Sequence, residues 1–120
     1  MRFGCLKNQN KQTNTDQIRN EVNLTMIVNH LLLKLKDRSP EHIEHIQTVL
    51  LGMRGKIDVL LDVQAEANVR PGPSAYDLIL ITKFASLADM EEYLIHPAHQ
   101  DVSRLIGTVL ETQASVCCAI

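Results

Sequence analysis

The stretch that decides the fold reads Met26-Ile27-Val28-Asn29-His30-Leu31-Leu32-Leu33-Lys34-Leu35-Lys36. It alternates: Ile27, Leu31, Leu33 and Leu35 fall on one face of an extended chain, and Val28, His30, Leu32 and Lys34 on the other. Apolar side chains stand on both faces, as a central strand covered on two sides requires. The nearly continuous apolar run from Tyr76 to Phe84 predicts a second central strand.

Outward from these two runs the period changes in a definite order. Ser39-Pro40 supplies an N-cap and a first-turn proline, and Ile43, Ile46, Leu50 and Met53 follow at amphipathic helical spacing, with Gly55 as the stop. Val59 to Val69 alternates again with one polar face, which predicts a strand nearer an edge. Pro71-Gly72-Pro73-Ser74 is a turn. Ser86 and Asp89 have capping-box spacing and open a helix with Leu87, Met90, Tyr93 and Leu94 as its core stripe. Pro97 breaks it. A further helix carries Val102, Leu105, Ile106, Val109 and Leu110, and residues 114–120 close the chain as a short strand. The order β-α-β-β-α(α)-β predicts an α+β, ferredoxin-like fold: a four-stranded antiparallel sheet with its helices on one face. Val28, Leu32, Ile79 and Ile81 would then form an exposed apolar patch on the other face, larger than monomers tolerate. A second copy of the same sheet covers it best, giving a two-fold homodimer.

The chain of 120 residues, 45% apolar and 22% charged, suits one globular domain and excludes an intrinsically disordered protein. No apolar run is long enough to span a membrane, and the N-terminus lacks the apolar core of a secretion signal, so a cytoplasmic location is expected. A formal charge of -2, an aromatic content of 3% and the lack of Trp argue against a nucleic-acid partner. Residues 1–25 carry Arg2, Lys7, Lys11 and Arg19 against Asp16 and Glu21, are rich in Asn and Gln, and show no sustained apolar period. They read as a polar, flexible arm, with the independent domain spanning 26–120. The three cysteines, Cys5, Cys117 and Cys118, have no zinc-site spacing, and adjacent strand positions point to opposite faces. They read as small, semi-apolar residues in a reducing compartment.

The segment Tyr93-Leu94-Ile95-His96-Pro97-Ala98-His99 is the candidate for chemistry. Pro97 removes a helical donor and fixes a junction at which His96 and His99 can be aimed, with the Tyr93 hydroxyl one turn earlier. A Tyr–His pair can take a proton and stabilise the resulting enolate, which makes Tyr93 and His99 the candidate catalytic pair. Each has a plainer reading. His96 can cap a helix end and Tyr93 can be core packing; His99 either lines a pocket or supports the junction. His30, in an apolar strand on the face away from the helices, needs either a hydrogen-bond partner or a pocket. His42 and His45 share a helix face without a third ligand and read as solvated surface, so no metal site is expected. No phosphate loop or dinucleotide fingerprint is present, and no cofactor is expected.

Val28-Asn29-His30-Leu31-Leu32-Leu33-Lys34-Leu35-Lys36-Asp37, then Phe84-Ala85-Ser86 and the Tyr93-x-x-His96-Pro97-x-His99 element, resemble the stress-responsive A/B barrel (Dabb) family over about residues 26–120. The resemblance implies a ferredoxin-like subunit whose sheet packs on a partner's sheet to form a dimeric α/β barrel. It implies a pocket at Tyr93, His96, His99 and His30 that binds a small hydrophobic ligand. One branch, similar to plant olivetolic acid cyclase, closes a linear polyketide by aldol chemistry without a cofactor. In that branch a Tyr and a His match Tyr93 and His99, and a strand His matches His30. The alternative function implied is therefore a cofactor-independent acid–base cyclase or isomerase.

Overall fold

Strand β1 (Ile27–Leu35) forms the middle of the domain because both of its edges are paired. The computed structural model describes residues 26–120, and the arm expected over 1–25 lies outside the described residues. Helix α1 (Pro40–Leu51) follows, then the edge strand β2 (Asp62–Ala67), the second central strand β3 (Leu78–Phe84), helices α2 (Leu87–Ile95) and α3 (Pro97–Val109), and strand β4 (Leu110–Ala119). The four strands lie in the order β2-β3-β1-β4, all antiparallel. This is the ferredoxin-like arrangement, with the element order that the changing sequence period predicts.

The alternation of β1 sorts its side chains as expected. Leu33 and Leu35 are fully buried beneath the helices, packed with Leu78, Phe84 and Val63 of the neighbouring strands and with Ile46, Leu50, Met53, Tyr93 and Ile106. On the opposite face, register sets His30 between Ile81 and Val116, and Leu32 between Ile79 and Ala114. Helix caps follow from local chemistry: Ser39 Oγ accepts from the His42 N–H at 3.3 Å, and Ser86 Oγ from the Asp89 N–H at 3.1 Å.

Several boundaries differ from the sequence reading, each for a physical reason. Helix α1 ends at Leu51 under the Gly52 cap rather than near Gly55, yet Met53 stays buried through the turn. Gly55 adopts φ 81°, a left-handed conformation suited to glycine. β2 stops at Ala67, leaving Leu61 54% and Val69 96% exposed, because Asn68 takes the chain out of the sheet. Its side chain accepts from the Arg70 N–H at 2.7 Å and donates to the Tyr76 carbonyl at 2.7 Å. Leu87 and Leu105, assigned to core stripes, are exposed. β4 begins at Leu110 rather than 114, because the polar run Glu111-Thr112-Gln113 is an edge strand and not a loop. A register shift at Lys34/Leu35 accompanies its start.

One buried carboxylate fastens the end of β1 to the start of β3. Asp77 Oδ2 accepts from the Leu35 N–H at 2.8 Å and Oδ1 from Arg38 Nε at 2.9 Å, while the Asp77 N–H donates to the Leu33 carbonyl at 2.8 Å. Arg38 also donates to the carbonyls of Gly72 and Ala75 at 3.0 Å each, which pins the proline-rich turn. Sequence reading did not single out this ion pair, because its partners lie far apart in the chain.

Candidate functional site

Pro97 shapes the site by what it lacks. As the first residue of α3 it has no N–H, and the next donor, the Ala98 N–H, turns to His96 Nδ1 at 3.0 Å. The Leu94 carbonyl, which an unbroken helix would satisfy with that donor, instead accepts from His99 Nδ1 at 3.0 Å and from Gln100 Nε2 at 3.0 Å. A carbonyl only accepts, so the His99 proton sits on Nδ1 and Nε2 keeps its lone pair. Burial pushes the His99 pKa below the ordinary 6.5, against the opposing pull of the Leu94 hydrogen bond. His99 is thus a neutral imidazole with a free acceptor at neutral pH.

Tyr93 lies beneath it. Its ring centroid is 4.4 Å from that of His99 and 4.9 Å from that of Phe84, both tilted, and the residue is 3% exposed. The hydroxyl donates to Met53 Sδ at 3.9 Å, a weak bond, and burial pushes the phenol up to about 12. Tyr93 therefore keeps its proton at neutral pH. It is core packing that also lines a cleft.

Tyr93 and His99 border a cleft of about 490 Å³ between the helices and the sheet. Leu31, Leu33 and Leu80 line it from the sheet, and Met90, Val102 and Ile106 from the helices. Gln113, Ser115 and Cys117 of β4 line it while remaining exposed, so the mouth opens along that edge strand. Cys117 Sγ lies 3.7 Å from Met90 Sδ, and Cys118 points to the other face, as the strand period requires.

The structure does not bring all the expected residues together. His30 stands on the opposite face of the sheet, and Asn29 occupies the place in the cleft. The side-chain period of two leaves no choice between these neighbours. His96 does not line the cleft either; its Nδ1 caps α3, and its plainer reading holds. His42 and His45 stack with centroids 6.4 Å apart, and His42 Nδ1 lies 3.0 Å from the Asp37 carbonyl. Among the described residues no group of three or more His, Cys, Asp or Glu is placed to hold a metal ion. Sequence reading missed Asn29, although its alternation with Ile27 and Leu31 marks it as helix-facing. Gln113 escapes it because β4 starts before residue 114, and Ser115, inside the expected strand, carries no signal of its own. A larger recess of about 640 Å³ lies between α1 and the 68–77 loop, but its Arg38, Asp77, Gln47 and Asn68 are engaged in structural hydrogen bonds.

A family profile described as Stress Responsive A/B Barrel Domain matches residues 27–117. No curated protein matches the chain by sequence. Among solved structures, the chain is similar to a dimeric ferredoxin-like protein of unknown function from Bacteroides fragilis, at 23% identity and TM-score 0.69, covering 79% of this chain and 96% of that one. It is similar to another dimeric ferredoxin-like protein of unknown function, from Thermobifida fusca, at 21% identity and TM-score 0.70, covering 80% and 92%. A hydroxynitrile lyase from Passiflora edulis aligns at 12% identity and TM-score 0.69, covering 79% and 93%. At these identities the likeness is one of fold.

The depressed pKa of His99 predicts a pH dependence of stability. Below 6.5 the unfolded chain takes up a proton that folded His99 resists, so stability is lost as pH falls from 6.5 through the lower folded value. In urea melts from about pH 7.5 to about pH 5, wild type is expected to lose more stability than His99→Gln. Equal losses would show that His99 titrates as an exposed imidazole.

Proposed function

The chain belongs to the stress-responsive A/B barrel domain family, and on that premise we propose that it acts as a homodimer holding a small, largely apolar ligand in the cleft of each subunit. The observation that carries this reading is the cleft itself: about 490 Å³, mostly aliphatic and thioether-lined, with Tyr93 and His99 on its wall. That combination of apolar surface with a few convergent polar groups is what small-molecule sites share.

Dimerisation is supported by the uncovered sheet face. Leu32, Ile79, Ile81 and Val116 stand together there, bordered on β2 by exposed Gln64 and Glu66. An apolar centre with a polar rim has the anatomy of an interface. Solved structures of the same fold are described as dimeric. In this assembly His30 belongs to the sheet-to-sheet contact rather than to the ligand site. Wild type is expected to sediment as a dimer at micromolar concentration. The double variant Leu32→Lys, Ile79→Lys is expected to give monomers or aggregates, since each buried aliphatic contributes roughly 1.5–3 kcal/mol. A wild-type monomer at high concentration would contradict this assembly.

A second reading, a cofactor-independent cyclase or isomerase, is favoured by one specific observation: His99, held through Nδ1 by the Leu94 carbonyl, packs its ring against that of Tyr93 with centroids 4.4 Å apart. His99 would take a proton from carbon next to a carbonyl, and Tyr93 would donate a hydrogen bond to the enolate oxygen that forms. The lowered His99 pKa keeps the base unprotonated at neutral pH. With a panel of enol lactones and linear polyketide mimics, His99→Ala should lower any turnover by ~10²–10⁴-fold while the dimer persists. A panel that wild type leaves unreacted favours the ligand-binding reading, and turnover that survives His99→Ala would remove His99 as the base.

A further inference from the structure

The residues lining the cleft include no Lys, Arg, Asp or Glu. A charged group entering it would meet no countercharge, and His99 is held neutral there, so an ionised ligand would be desolvated without compensation. Uncharged polarity is supplied instead, from Tyr93, His99 and Ser103 on the helices and from a row on the sheet. Asn29 of β1 opposes Cys117, and the next two cleft-facing rows pair Leu31 with Ser115 and Leu33 with Gln113. Asn29 and Ser115 are therefore diagonal neighbours on two adjacent strands, with Gln113 one row further along β4, all on the cleft face.

None of these three side chains makes a hydrogen bond among the described residues, and the Asn29 amide is half-buried. Amides and a hydroxyl offer donors and acceptors without charge. A half-buried amide among Leu and Met side chains is a polar group in want of a partner. From the helix side, Met90, Val102 and Ile106 present an apolar wall.

We propose that Asn29, with Ser115, forms the head-group subsite of the cleft and selects an uncharged ligand with an apolar body and one oxygen-bearing polar end, such as a ketone, ester or alcohol. The proposal rests on the reading of the cleft as a ligand site. Asn29 sets specificity by hydrogen bonding, and the body of the ligand lies against the thioethers and aliphatic groups, whose flexibility tolerates variation in shape.

Three probes of nearly one shape test it with the full-length protein by calorimetry: 2-acetylnaphthalene, 2-ethylnaphthalene and 2-naphthoate. The ketone is expected to bind about tenfold more tightly than the carboxylate. Asn29→Leu should weaken the ketone by about five- to tenfold while leaving the ethyl compound as tight or tighter. Ser115→Ala, at an exposed position that does not threaten the fold, should weaken the ketone more than the ethyl compound. If 2-naphthoate binds as tightly as the ketone, or if both variants bind all three probes as wild type does, the head-group subsite is overturned and the cleft remains a ligand site. If none of the probes binds wild type, the cleft reading falls with it.

Discussion

The Leu94 carbonyl is the group on which the site depends. Pro97 ends one helix and starts the next, and so deprives that carbonyl of a main-chain partner. The His99 imidazole replaces the missing donor, and in doing so fixes its own tautomer, its orientation and its stacking on Tyr93. A local defect in helix hydrogen bonding thereby becomes a placed acceptor. His96 completes the junction by capping α3, so two histidines three residues apart have different work: one holds the corner and the other lines the cleft.

The second constraint is the alternation of β1. With strands on both sides it has no free edge, and each side chain must face either the helices or the open side of the sheet. Leu31, Leu33 and Leu35 build the core and the cleft, while Leu32 and its neighbours on β3 and β4 build the surface proposed to meet a second subunit. Asn29 and His30, adjacent in sequence, are divided between the two. The proposed ligand and dimer surfaces thus lie on opposite faces of one strand.

The fold was legible because the decisive elements carry strong periods: β1 and β3 as apolar runs, and the helices through Ser39-Pro40, Ser86 and Pro97. Weakly patterned segments were not. Val59 to Val69 alternates through a turn that Asn68 makes, and the polar start of β4 looks like a loop because nothing packs over that edge. In the site, Tyr93 and His99 were legible from their spacing about Pro97. His30 reads as a pocket residue because an imidazole in an apolar strand wants a partner, but the alternation of the strand sets it on the face away from Tyr93 and His99. The Asp77–Arg38 lock and the polar row of β4 became visible only in three dimensions.

His99, a neutral imidazole with its proton on Nδ1 and the lone pair on Nε2, is the group on which any chemistry of this cleft would turn. Long-range ¹H–¹⁵N NMR of the histidine rings reads this directly, with the resonance assigned by comparison with His99→Gln. The account predicts an Nδ1–H tautomer at neutral pH and a titration midpoint below 6.5, in keeping with partial burial. An Nε2–H tautomer, or a midpoint at or above 6.5, would contradict it.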